Sequence, residues 1–185
     1  MRKLIVFNLM TLDGYIAGAE GDISWHNVDQ EFQELANKAA NSGNTLIFGR
    51  ITYELMASFW PTEEALRTDP LVAQGMNSAD KIVFSRTLDK VGWNNTRLVK
   101  KDLIGEIGQL KQQEGRDLTI LGSGSIVSQL AQEGLIDQYE ILLNPVVLGK
   151  GKTMFEGLRR RLNLTLIGTR TFGNGNVLLT YVPAG

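Results

Sequence analysis

With 185 residues, 43% apolar and 21% charged, the chain can close one domain around a sizeable hydrophobic core, and its composition is that of an ordinary soluble protein. A net charge of −1 argues against nucleic acid or an anionic membrane as partner, since both call for a basic face. The absence of cysteine excludes disulfides, thiolate catalysis and thiolate zinc sites. A lone histidine, His26, excludes a multi-histidine metal centre. No metal is expected, and chemistry falls to small-molecule binding or to an organic cofactor.

Met1-Arg2-Lys3 followed by Leu4-Ile5-Val6-Phe7 imitates a secretory leader, but Asn8 breaks the apolar run and Asp13-Gly14 ends it. Residues 3–10 therefore read as a buried strand, and a cytoplasmic protein is expected. No apolar run approaches bilayer-spanning length. A loop rich in Gly and Asp follows at 11–27. Residues 28–41 read as a helix with Val28, Phe32, Leu35, Ala36 and Ala39 on one face, Asn27 as N-cap and Gly43 past its end.

A strand at 45–49 leads to a helix from Thr52 to Phe59. Residues 60–70, with Pro61 and Pro70, read as loop or a short helical turn. A helix at 70–78 precedes a strand at 81–85, and an irregular stretch at 87–100 holds a short strand at 97–99. A helix at 102–114, a strand at 117–121 and a helix at 124–133 closing on Gly134 complete the alternating part. Strands at 138–147, 163–172 and 176–182 end the chain, the last two joined across Gly173-Asn174-Gly175, a strong hairpin signal. The expected fold is α/β: a mostly parallel central sheet with an antiparallel C-terminal edge.

Three apolar strands run into small or basic turns. Leu46-Ile47-Phe48 meets Gly49-Arg50-Ile51-Thr52, Ile82-Val83-Phe84 meets Ser85-Arg86, and Leu118 to Leu121 meets Gly122-Ser123-Gly124-Ser125. In an open α/β sheet ligands bind beyond the carboxyl ends of the strands. Small residues admit a pyrophosphate to backbone N–H groups at a helix start, and Arg50 and Arg86 suit a 2′-phosphate, favouring NADP over NAD. Thr52 and Ser125 read as caps of their helices. Gly149-Lys150-Gly151-Lys152-Thr153 imitates a P-loop, but position 146 is Val where the first Gly is required, so a glycine turn is expected. Asp29 near a helix start and Asp13 at the end of the first strand are candidate proton donors, each with a bland alternative as helix charge or turn residue. Trp25 and His26 suit a wall or gate.

Taken in order, Thr11-Leu12-Asp13-Gly14-Tyr15-Ile16-Ala17, Gly21-Asp22-Ile23-Ser24-Trp25, Phe48-Gly49-Arg50-Ile51-Thr52-Tyr53-Glu54, Val83-Phe84-Ser85-Arg86, Leu121-Gly122-Ser123-Gly124 and Asn144-Pro145-Val146-Val147-Leu148-Gly149-Lys150-Gly151 resemble the dihydrofolate reductase-like superfamily. The closer resemblance is to its bacterial branch, the reductase domain of the riboflavin-biosynthesis deaminase-reductase. It spans nearly the whole chain as a single domain, without a deaminase part. Dihydrofolate reductase itself carries its helix carboxylate where this chain has Gln30, one residue past Asp29.

The resemblance implies an NADPH-dependent reductase passing hydride to a pyrimidine or pterin-type ring. By position, Gly49, Arg50 and Thr52 hold phosphates, Ser85 and Arg86 flank the adenosine end, and Leu121, Gly122, Ser123, Gly124 and Ser125 hold the pyrophosphate and nicotinamide side. Ala17 and Ile23 border the nicotinamide from a mobile first loop; Asn8, Trp25 and Phe32 border the substrate. The activity closest to the resemblance is 5-amino-6-(5-phosphoribosylamino)uracil reductase. Dihydrofolate reduction and a non-catalytic NADPH sensor are the alternatives, with a flavin or phosphosugar-binding protein further off. A homodimer is expected through the late apolar strand residues Ile141, Leu142, Leu143, Val146, Val147 and Leu148.

Overall fold

The computed structural model describes residues 1–184. Strand β1 (Leu4–Thr11) is followed by a short β2 (Tyr15–Ala17), helix α1 (Gln30–Ala40), β3 (Thr45–Gly49) and α2 (Arg50–Phe59). Helices α3 (Glu63–Thr68) and α4 (Pro70–Ser78) lead to β4 (Lys81–Phe84) and β5 (Thr96–Val99). Then come α5 (Leu103–Gln112), β6 (Leu118–Leu121), α6 (Gly124–Gln132), β7 (Gln138–Asn144), β8 (Lys152–Thr153), β9 (Leu164–Thr171) and β10 (Val177–Pro183).

The main sheet has eight strands in the order β5-β4-β3-β6-β1-β7-β10-β9. Every pairing from β5 to β7 is parallel, and β10 runs antiparallel to both β7 and β9. The carboxyl ends of β1, β3, β4 and β6 thus share one edge. Alternation along the strands fills both faces. Ile47, Ile82 and Phe84 join Leu4, Val6 and Ile120 in one core layer, while Leu46, Phe48 and Val83 join Tyr53, Met76 and Trp93 in the other. No helix among the described residues is long and apolar enough to cross a membrane.

The structure moves several expected boundaries. Asp29, not Asn27, caps α1: its Oδ1 accepts from Phe32 N at 2.8 Å. The face drawn from Val28 to Ala39 is also shallower than expected, because Val28 lies outside the helix and no α1 residue is fully buried. Helix α2 starts at Arg50 with Gly49 as its cap, and α6 starts at Gly124 with Ser123 as its cap, so neither Thr52 nor Ser125 caps a helix. Strand β7 stops at Asn144, before Pro145, which has no N–H for a ladder. The antiparallel β2–β8 ribbon has no counterpart among the expected elements.

Of the residues expected to face a partner subunit, Ile141 and Leu142 are core residues of β7, which lies between β1 and β10, whereas Val147, beyond the strand, is exposed. A further buried group, Lys81, closes α4 from beneath. Its Nζ donates to Met76 O at 2.8 Å and Ala79 O at 2.6 Å, and lies 4.5 Å from the centre of the Trp93 ring.

Candidate active site

At the carboxyl edge of the parallel strands lies a cleft of about 620 Å³. It gathers the ends of β1 (Phe7, Asn8, Leu9), β3, β4 and β6, the first turns of α2 and α6, and residues of β2 and β8. Two helices open on it from the adjacent strands β3 and β6, and neither has a side-chain cap. Their first N–H groups therefore remain available to a ligand, with both helix dipoles favouring an anion.

Ser123 ties these two starts together. Its Oγ accepts from Gly49 N at 2.6 Å and lies 3.0 Å from Thr52 Oγ1, which also accepts from Ser123 N at 3.2 Å. Ser123 holds a left-handed φ of 55°, and Gly122 before it has a φ of 62°. A Cβ at Gly122 would fall 2.7 Å from Thr52 Oγ1, so here glycine serves both the turn and the packing of the two loops. A Cβ at Gly124 would fall 2.6 Å from Thr153 O, so β8 packs directly on the start of α6.

Positive charge lies on the β3–β4 side. Arg86 is exposed at the rim and makes no ion pair among the described residues. Arg50 is half occupied, its Nη1 meeting Glu54 Oε2 at 3.0 Å one turn along α2. Ile51 and Leu55 continue the cleft wall along that helix.

The opposite wall is apolar and carries the lone histidine. Ile16, Ala17, Ile23 and His26 line it. The segment carrying Ile23 and His26 is braced by Gly18 N donating to Asp22 O at 2.8 Å and His26 N donating to Ile23 O at 3.1 Å. Burial pushes the imidazole down to about 4, with Asp22 opposing weakly, so the ring is neutral at ordinary pH.

Of the residues expected at the cofactor, Ala17, Ile23, Gly49, Arg50, Thr52, Ser85, Arg86, Leu121, Gly122, Ser123, Gly124 and Ser125 all line this one cleft. Of those expected at the substrate, Asn8 lines it, while Trp25 and Phe32 stand outside the lining. Trp25 instead donates from Nε1 to Asp22 O at 3.1 Å and sets its ring edge-on to His26.

The two candidate proton donors also stand outside. Asp29 is spent on its helix. Asp13 accepts from Thr11 Oγ1 at 2.6 Å and from Gly149 N at 2.7 Å, bonds that hold its carboxyl below the usual range, that to Thr11 foremost. Lys152 and Glu156 also line the cleft, Glu156 without any role read from the sequence. The Gly149-to-Thr153 turn dismissed as a P-loop was the signal for this segment, because it leads directly into β8 at the cleft.

Similar proteins agree with this architecture. A family model described as the RibD C-terminal domain matches residues 2–178. An uncharacterised protein of Bacillus subtilis (strain 168), YyaP, is 31% identical over 182 residues, covering 97% of this chain and 94% of its own. A solved structure from Shewanella sp. PV-4, described as a candidate riboflavin biosynthesis protein, superposes with a TM-score of 0.74 at 26% identity over 99% of each chain. Dihydrofolate reductase from Enterococcus faecalis, solved with NADP(H), superposes with a TM-score of 0.66 at 18% identity over 99% of this chain and 97% of that one, which shows the shared fold. With its dihydrofolate reductase-like sheet and a match running almost end to end, this chain belongs to the RibD C-terminal domain family.

Proposed function

We propose that the protein is an NADPH-dependent reductase that transfers hydride to a pyrimidine or pterin-type ring, of the riboflavin-pathway reductase kind. One observation carries this reading: two uncapped helix N-termini, those of α2 and α6, open side by side on one cleft. Backbone N–H groups of Ile51, Thr52 and Ser125 suit a diphosphate lying between them. Arg86, and Arg50 when released from Glu54, suit the extra phosphate that separates NADPH from NADH.

The residues present therefore fit the cofactor, which when bound supplies the hydride. This chain's part is orientation and exclusion of water. The Ser123 hydroxyl holds the two helix starts at fixed separation, and Ile16, Ala17 and Ile23 form an apolar wall against which a flat ring can be held. Family membership and the NADP(H) complex of the Enterococcus faecalis relative in fold both support the reading.

The test is titration of purified protein with NADPH and NADH, followed by quenching of tryptophan fluorescence. Micromolar NADPH binding, with NADH at least tenfold weaker, is the expected outcome; binding of neither cofactor overturns the reading. A second reading, a cofactor-binding module without turnover, is favoured by Asp29 and Asp13 both being engaged away from the cleft. It predicts tight NADPH binding and no NADPH oxidation with any pyrimidine or pterin substrate.

A further inference from the structure

His26 is the buried titratable group for which the site as described has no use. It lines the cleft, yet its Nε2 is buried with no hydrogen-bond partner. Such a nitrogen costs roughly 1–3 kcal/mol relative to a satisfied one, so it calls for a physical reason.

Its surroundings hold it in place. The Trp25 ring packs edge-on with centroids 4.6 Å apart. The next residue, Asn27, is clamped on three sides. Its N–H donates to Asn144 Oδ1 at 2.9 Å, and its carbonyl accepts from Asn174 Nδ2 at 3.0 Å and Asn176 Nδ2 at 2.7 Å. The charged group that acts on the ring is Asp22, on its own segment; Lys152 and Glu156 line the same cleft. The imidazole is therefore fixed at its backbone, neutral, and short of one partner.

We infer that His26 is a specificity-determining contact, whose ring nitrogen hydrogen-bonds the uncharged polar edge, an N–H or C=O, of the heterocycle that this reductase reduces. The inference rests on the reductase reading and deepens it. A neutral imidazole offers one donor and one acceptor, the complement of a lactam or amidine edge. Nε2 has no exposed surface in the free protein, so a turn of the ring about its side-chain bonds is what presents a nitrogen to the ligand. Flanking Ile16, Ala17 and Ile23 suit the flat face of such a ring and penalise a charged group at that point. A ligand lacking the polar edge leaves the nitrogen unpaired, which is how a buried polar group discriminates.

A single histidine makes the test direct, because protein labelled with histidine carrying ¹⁵N in the ring alone shows only the two ring nitrogens of His26. The labelled protein is titrated with 7,8-dihydrofolate, 5,6-diaminouracil and 2,4-diaminopyrimidine, with and without NADPH. At least one ring is expected to displace the Nε2 resonance. His26→Phe is expected to weaken that ring's binding about tenfold, the equivalent of one hydrogen bond, and His26→Gln to recover part of the loss.

Ring nitrogens unmoved by all three compounds overturn the inference, as does a folded His26→Phe protein that binds the ring as tightly as wild type. The wild-type spectra decide the matter even if the variants fail to fold. NADPH binding with a silent His26 defeats this inference alone, whereas absence of NADPH binding defeats the reductase reading.

Discussion

The backbone N–H of Asn27 donates to the side-chain oxygen of Asn144 at 2.9 Å, joining the end of the first loop to the end of β7. Asn144 is fully buried, and its Nδ2 donates to Leu142 O at 3.0 Å, so the amide cannot turn away. The cleft wall carrying Ile23 and His26 therefore hangs from a fixed post. Asn144→Leu is expected to destabilise the protein by about 2–3 kcal/mol, because it strands a buried donor. Hydrogen exchange should show amides of residues 18–27 losing protection beyond the global change.

Much of this architecture is legible in the sequence, and the part that is not has a physical cause. Phe48-Gly49, Phe84-Ser85 and Leu121-Gly122 mark strand ends because continuous apolar runs stop abruptly at small or polar residues, and Asn174-Gly175 marks the hairpin by turn chemistry. The assignment of all the strand-end residues to one cleft follows from parallel strands sharing an edge. Asp29 displaced Asn27 as cap because both residue types cap helices, and only the backbone path decides between them. The β2–β8 ribbon is invisible because two- and three-residue strands have no period to detect. The links from Ser123 to Gly49 and from Asn27 to Asn144 join residues 74 and 117 positions apart, where local patterns carry no information.

The two rim arginines are expected to differ in effect. Arg50 must leave Glu54 before gripping a phosphate, whereas Arg86 has no ion pair to break among the described residues. Arg86→Ala is expected to weaken NADPH binding about tenfold and to leave NADH binding nearly unchanged, a charge-assisted bond to phosphate being worth about 1.5–3 kcal/mol. Arg50→Ala should cost less, and Glu54→Gln should tighten NADPH slightly by freeing Arg50. Paired fluorescence titrations with both cofactors check this; an equal loss for NADH and NADPH in Arg86→Ala would place that side chain away from the 2′-phosphate.

Lys81 offers a test of stability with no expected change at the cleft. Its ammonium satisfies carbonyls at the end of α4 and faces the Trp93 ring. Lys81→Met keeps the aliphatic stem but leaves those carbonyls without a donor. A loss of about 3 kcal/mol in urea unfolding is expected, with NADPH affinity of the folded protein unchanged. A loss below about 1 kcal/mol would mean that water replaces the ammonium.

The pH dependence of stability separates His26 from the carboxylates. In the folded protein burial lowers the imidazole from 6.5 to about 4, so between those values the unfolded chain binds the extra proton. Stability must then fall as pH drops from about 6.5 toward 4, each unit between the two values being worth about 1.4 kcal/mol. Asp13 and Asp22 act lower. The Thr11 hydroxyl holds Asp13 below 3.8, and the Ser24 backbone N–H does the same for Asp22, so their contribution is present above that value and lost as pH falls through their depressed ones. Urea midpoints measured across this range should decline in two stages for the wild type. His26→Phe should abolish the upper stage and keep the lower one. A wild-type midpoint that stays flat from pH 6.5 to 4 would mean that the folded protein takes up a proton at His26 as readily as the unfolded chain, and that the imidazole is not sealed against the cleft wall.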